Sequence, residues 1–198
     1  MQAYKKLPLL HPYNSEQCLC SARFKTNPIL KEARMANLDK FNENPQQQLL
    51  EEVKGARCVM LGSTDPEHHM QPMAPQIDPD NRVVYFYSDN KSELGEAIMK
   101  NPGMVHMCHI DKDYQACVRG HLAVHTDPAI VDKFWNPIVS AWYPGGKTDP
   151  KLIMLRFLPD EAAIWASTGN PLKFMYEVAK ANIKDTEADM GEMKVIDL

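Results

Sequence analysis

"KLIMLRFLPDEAAIWAS", residues 151–167, is the stretch on which the fold turns. Its first half is rich in large apolar residues, its second is apolar and ends in Trp-Ala-Ser, and Pro159-Asp160 stands between them. Apolar runs of this length bounded by turn-forming residues read as strands. The reading is two strands, 151–159 and 161–167, around a tight Pro-Asp turn. Such neighbours are antiparallel, and the segments upstream extend the pattern.

"YQACVRGHLAVHT", 114–126, reads as a long strand with Gly120 at a bulge or a close approach of backbones. "MVHMCHI", 104–110, precedes it across the turn "DKD", and "RVVYFYS", 82–88, is β-branched and aromatic. "HHMQPMAPQ", 68–76, opens a strand that ends before the turn "DPDN", and "ARCVMLGS", 56–63, is another. The helices between are short. Asn44-Pro45 opens "PQQQLLEEVKG", closed by Gly55, and "KSELGEAIMKN" reads as a second helix. Asp127-Pro128, Asn136-Pro137 and Asn170-Pro171 open three more. The tail "KDTEADMGEMKVIDL" is polar and acidic with a short apolar end. About seven strands joined by short turns, with no βαβ alternation, exclude a doubly wound parallel sheet. The fold class expected is mainly β, an antiparallel barrel with short flanking helices.

Residues 1–43 show little periodicity and read as an N-terminal extension, with one domain over 44–198. Residues 1–40 hold seven Lys/Arg against three Asp/Glu, while the remainder holds fifteen against twenty-three. That contrast suits an extension lying on an acidic body better than an organelle transit peptide. The overall charge of −4 gives no reason to expect nucleic acid, and no apolar run is long enough to span a bilayer. The five cysteines, Cys18, Cys20, Cys58, Cys108 and Cys117, form no CxxC pair. Reduced thiols in a cytoplasmic protein are the expectation, with no secretory signal.

Motifs for chemistry are sparse. There is no Walker loop, nucleophile elbow or GxGxxG, and Gly145-Gly146 lacks the Lys-Ser/Thr that a phosphate loop needs. His68 and His69 are adjacent on a strand, so they diverge. His106 and Cys108 share one strand face, and Cys117, His121 and His125 share a face of the next. Zinc or haem takes such ligands, but the spacing matches no standard zinc motif and no metal site is expected. Trp135, Trp142 and Trp165 in the C-terminal half are core, interface or stacking residues.

Taken together, several segments resemble the general stress protein branch of the pyridoxamine 5′-phosphate oxidase-like superfamily, the flavin-binding split barrels. The strongest is "KFWNPIVSAWYPGGKTDPKLIMLRFLPDEAAIWAS", 133–167, preceded in order by "MQPMAPQ", "VYFYSDNKS" and "VRGHLAV" and followed by "MGEMKVIDL". The likeness covers about residues 46–198. It implies a small antiparallel Greek-key split β-barrel, usually a homodimer, with FMN in grooves at the dimer interface and an unknown small-molecule substrate. It implies that Gln71, Pro72 and Met73 line the flavin from one strand and Phe86, Tyr87 and Ser88 from the next. Ser92 then faces the phosphate at a helix start, and Trp142 and Trp165 approach from the C-terminal half, with an approach across the dimer open to both.

Two departures bear on the cofactor. Where the family usually reads Ser-Arg-Pro-Met, this chain has Met70-Gln71-Pro72-Met73. Where the family's helix start carries a Lys two residues after the Ser, this chain has Leu94, with Glu93 between. Lys91 is the nearest substitute cation, with His68, His69 and the basic extension behind it. The expected function is an FMN-binding, oxidoreductase-like general stress protein, with FAD as a lesser possibility. The alternatives are a non-enzymatic split-barrel dimer that has lost flavin, and a haem binder using His106, His121 or His125. No residue suggests itself as a dedicated general acid or base.

Overall fold

The structure, a computed structural model, describes residues 36–63, 69–167, 171–184 and 191–198. Expectations placed on His68, on the extension before residue 36 and on the Asn170 cap lie outside the described residues. The chain divides into units 1–34 and 35–198, and the fold below belongs to the second.

In chain order the elements are α1 (Leu38–Glu43), α2 (Pro45–Gly55), β1 (Val59–Ser63), β2 (Gln71–Met73), β3 (Gln76–Asp78), β4 (Val83–Asp89), α3 (Glu93–Lys100), β5 (Gly103–Ile110), β6 (Tyr114–His125), α4 (Pro128–Phe134), α5 (Pro137–Ser140), β7 (Leu152–Ser167), α6 (Pro171–Lys184) and β8 (Gly191–Asp197). The strands form one sheet in the order β2-β1-β5-β6-β7-β4-β3, with β8 also on β7 and every pairing antiparallel. The sheet curls into a half-barrel with a few short helices, the split-barrel arrangement. The helix starts are as the sequence suggests: Asn44, Asp127 and Asn136 each accept a first-turn backbone N–H, with Pro at the following position.

The opening stretch folds differently from its reading. Pro159-Asp160 does not turn the chain, because residues 152–167 are one strand of 16 residues. One side of β7 pairs with β4 as far as Phe157 and with β8 from Glu161 onward. Its other side pairs with β6 along its length, with one register break. There Gly120 faces Pro159 and Arg119 faces Glu161, which leaves Asp160 as an extra residue. This is a β-bulge, one of the few places where a strand admits Pro. A Cβ on Gly120 would stand 2.2 Å from the Leu158 carbonyl oxygen and 2.8 Å from the Phe157 ring. Gly120 therefore marks a close approach, as its position in the strand suggested. A bulge and a turn share the same residue punctuation, so the sequence alone reads one for the other.

Two further elements emerge from stretches without clear periodicity. The acidic tail contributes β8, whose residues 191–197 pair with β7. Residues 38–43, read as the end of the extension, form α1 and insert Phe41, fully buried, against Tyr114 at 6.4 Å edge-to-face. The Lys194 ammonium donates to the Phe41 carbonyl at 3.0 Å and lies 5.0 Å over its ring, joining β8 to α1. A six-residue helix with one deeply buried anchor has too few turns to show a period. The strand 68–77 is also divided, into β2 and β3.

The main core gathers Phe41, Leu61, Phe86, Val105, Leu122, Leu155, Phe157 and Ile164 with α2 and α3. A smaller cluster, Val83, Tyr85 and Met154, packs with α4 on the other face of β4. Among the buried titratable groups, His109 stands without a hydrogen-bond partner. His109 is 5% exposed, and among the described residues neither ring nitrogen has a hydrogen-bond partner. Burial holds its pKa below the ordinary histidine value, with Asp111 opposing in part. The unfolded chain therefore binds a proton that the folded chain resists. The His109 contribution to stability is whole above about pH 6.5 and is lost progressively as pH falls toward the lowered folded value. Thermal melts from about pH 8 down to pH 5 are expected to show a steeper loss for the wild type than for His109→Phe. Parallel curves would contradict this.

Candidate functional site

A groove of about 410 Å³ opens where β2, the end of β4, the start of α3 and α5 meet. Its wall includes Gln71, Pro72, Met73, Tyr87, Ser88, Ser92 and Trp142. Seven of the ten site residues read from the resemblance are thus brought together. Pro72 suits its place because β2 is an edge strand, where a missing N–H costs no ladder bond.

The other three lie elsewhere. Phe86 is fully buried in the main core, because the two-residue alternation of β4 sends it inward with Val84 while Tyr85 and Tyr87 face α4. Lys91 is exposed in the turn before α3 and is not part of the groove wall. Trp165 stands on the outer side of β7, 39% exposed, beside Gln115 on β6 and Met193 on β8. The structure adds Cys58, Ala74, Gln76, Asp89, Val139 and Tyr143 to the wall. The Asn136-Pro137 helix start was the signal for Val139, Asp89 is the last residue of β4, and Tyr143 depends on how a loop is fastened.

That loop is "YPGGKTDP", 143–150, held by Asp149. The Asp149 carboxylate accepts from the Gly145 and Lys151 amides, each at 3.0 Å, and these bonds keep its pKa below the usual carboxylate range. Gly146 takes a positive φ of 69° within it, a conformation that suits glycine. Asn90 secures the loop to the end of β4, donating from its side chain to the Pro150 carbonyl at 2.8 Å. Behind the groove, Trp135 packs on Tyr87 at 5.9 Å and on Tyr143 at 6.4 Å. The Tyr87 hydroxyl donates to the Val131 carbonyl at 2.6 Å. Burial, with Asp132 and Tyr143 adding, pushes Tyr87 up to about 12. Burial, with Asp89 and Asp149 adding, does the same for Tyr143. Both phenols are therefore neutral hydrogen-bond donors at physiological pH.

At the other end, Ser92 caps α3. Its hydroxyl accepts from the Gly95 amide at 3.0 Å, donates to the Asp89 carbonyl at 2.8 Å and lies 3.2 Å from the Ser88 hydroxyl. A Cβ at Gly95 would stand 2.3 Å from the Asp89 carbonyl oxygen, so glycine permits this closeness. The charges here are mostly negative. Asp89 lines the groove, and Glu93 and Glu96 occupy the first turn of α3. Among the described residues that line the groove there is no Lys, Arg or His. The groove is thus an apolar slot with amide, hydroxyl and phenol groups, suited to a flat neutral ring system.

The described histidines do not assemble a metal centre: His106 stands across from Arg119 and His121 across from Met104. Among the described residues no three His, Cys, Asp or Glu converge as ligands. No helix among them is long and apolar enough to cross a membrane.

Comparison with known proteins gives a consistent picture. Residues 44–189 match the model of the family described as pyridoxamine 5′-phosphate oxidase like. A solved structure described as general stress protein 26, from Jannaschia sp. CCS1, is 28% identical, with a TM-score of 0.62, over 76% of this chain and 96% of that one. The general stress FMN/FAD binding protein of Xanthomonas citri is 38% identical, with a TM-score of 0.56, over 61% of this chain and 87% of that one. PhzG from Burkholderia lata 383 shares 10% identity with a TM-score of 0.51, over 84% of this chain and 100% of that one, a likeness of fold alone. No curated protein matches the chain.

Proposed function

We propose, for a chain that belongs to the pyridoxamine 5′-phosphate oxidase-like family, that the groove beside β2 and α3 holds the ring of a flavin, FMN in the first place, within a homodimer. The protein is then an oxidoreductase-like flavoprotein of the general stress branch. The observation that carries this is the groove itself. Its volume suits a small planar ligand, and Pro72, Met73 and Val139 give apolar walls. Trp142, 79% exposed at its margin, offers a face for stacking. A bound flavin supplies hydride and electron transfer. The chain's own residues bind and orient the ring: Pro72 and Met73 wall it, the Ser88 hydroxyl can meet a polar edge, and the phenols of Tyr87 and Tyr143 stay protonated beside it.

The ring fits better than the phosphate. An anion at the start of α3 would meet the helix dipole favourably, but also Asp89, Glu93 and Glu96. An exposed apolar face supports the homodimer. Trp165 does not line this chain's groove, yet it is exposed with Met193 at 53% and Val195 at 57% on one face of β7 and β8. An apolar face of that kind is suited to a partner surface, from which Trp165 would serve the other copy's flavin.

Sedimentation velocity monitored at the flavin absorbance tests both parts. FMN is expected to travel with a species of twice the chain mass. Flavin that travels with a monomer contradicts the dimer, and flavin that stays free at about millimolar, a binding energy of about 4 kcal/mol, contradicts the cofactor. The second reading is a split-barrel dimer without flavin. It rests on the same carboxylates at α3 and on Gln71.

A further inference from the structure

We propose that Cys108 and Cys117 are a reversible disulfide site, closed by hydroperoxides across the β5–β6 pair. The register places the two residues directly opposite each other, and their sulfurs are 3.7 Å apart, the Cys108 thiol directed at Cys117. Both are free thiols at partly exposed positions. They sit in a row that runs across five strands, Met60, Cys108, Cys117, Ala163 and Val195. This row lies on the face of the sheet turned away from the main core. It continues across β2 to Pro72 of the groove wall, though none of its own five members lines the groove.

The geometry favours ring closure. Residues directly opposite in an antiparallel pair have Cα atoms about 4.5–5.5 Å apart, within the range that a disulfide spans. The sulfurs must close by about 1.7 Å to reach a bonded distance near 2.0 Å, which side-chain rotation supplies without moving strands. The pair is not a metal site of ordinary kind, because His106, on the same face of β5, stands across from Arg119 and adds no third ligand.

The chemistry balances with a hydroperoxide as oxidant. One thiolate attacks the peroxide oxygen, the O–O bond breaks, and the leaving hydroxide or alkoxide takes a proton. The sulfenic acid so formed is attacked by the second thiolate. The S–S bond forms, the S–O bond breaks, and water leaves with the remaining proton. Two thiols lose two electrons and two protons, and the peroxide is reduced to two molecules of water, or to water and an alcohol. Burial, together with the neighbouring Cys117, pushes the Cys108 thiol up to about 11. Thiolate is therefore scarce at neutral pH, and the closure is slow there. The pair is a stoichiometric redox device rather than a fast peroxidase centre.

The test uses the full-length wild-type chain. It is reduced, exposed to excess hydrogen peroxide, then unfolded in N-ethylmaleimide and digested with trypsin. Lys112 lies between the two cysteines, so trypsin separates their peptides unless a disulfide joins them. The expected result is a joined pair of peptides, free of maleimide, from chains that run as monomers on a non-reducing gel. Dithiothreitol separates them, and the closure rate rises roughly tenfold per pH unit across neutral pH. The same product is expected from a Cys18→Ser, Cys20→Ser, Cys58→Ser chain, and none from Cys117→Ser. Recovery of both cysteines as maleimide adducts, as separate sulfinic acids or in disulfides with other cysteines would overturn the proposal.

Discussion

Gln71→Arg is expected to tighten FMN binding by roughly ten- to a hundredfold and to leave riboflavin binding unchanged. Gln71 lies on β2 within the groove wall, and its neutral amide cannot neutralise a phosphate. The groove is short of positive charge, since no cation lines it among the described residues while Asp89 does. A hydrogen bond to a charged group contributes about 1.5–3 kcal/mol, and about 1.4 kcal/mol is a factor of ten in affinity. An arginine at this position adds such a bond to the phosphate and nothing to the ring, so the gain separates the two flavins. It should also shrink as salt rises, because the contact is largely exposed. Isothermal titration of both flavins against both proteins checks it. An equal gain for riboflavin would place the new side chain on the ring and not at the phosphate end.

Phe41→Ala is expected to cost about 3–5 kcal/mol, the range for truncating a fully buried aromatic residue. Phe41 is 0% exposed, packs edge-to-face on Tyr114 and carries the Lys194 ammonium over its ring. Its loss removes the anchor of α1 and the contact that joins α1 to β8. Single domains are stable by about 5–15 kcal/mol, so the variant sits near the edge of folding. Urea denaturation followed by tryptophan fluorescence measures the cost. Asn42→Ala, one residue along on the exposed side of α1, is the control and should lose little. If the two variants lose the same small amount, residues 38–43 do not belong to the packed body.

These two substitutions mark where the sequence is readable and where it is not. Strand composition and turn residues were enough to find an antiparallel sheet with short helices: Val83–Asp89 is β-branched and aromatic, while Gly103–Ile110 and Tyr114–His125 alternate in burial along much of their length. The starts at Asn44, Asp127 and Asn136 were legible because a side-chain cap followed by Pro suits a first helical turn, although the same pair at Asp78-Pro79 opens a turn. Pro159-Asp160 was not, because a bulge in a 16-residue strand and a turn between two strands use the same residues. β8 and α1 depend on long-range partners, β7 for one and the Tyr114 pocket for the other, and local pattern carries no trace of either.

The groove follows the same division. Gln71, Pro72, Met73, Tyr87, Ser88, Ser92 and Trp142 were assembled by resemblance and stand together in space. Phe86 was included as part of a contiguous run, but alternation along β4 commits it to the core. Tyr143 depends on the Asn90 and Asp149 bonds that fasten loop 143–150, whereas Asp89, the last residue of β4, stood in "VYFYSDNKS" with no role assigned to it. The Asp89 carboxylate is the one charged group among the described residues that line the groove.

A single side-by-side titration tests the flavin groove most directly: riboflavin and FMN added to the reduced wild-type protein at low salt, read by flavin fluorescence. Both should be quenched on binding beside Trp142 and Tyr143, with saturation below millimolar and FMN within about tenfold of riboflavin, since no cation among the described groove residues gives the phosphate a charged contact worth more than that. If neither flavin changes its emission up to about millimolar, a binding energy of about 4 kcal/mol, the groove does not hold a flavin.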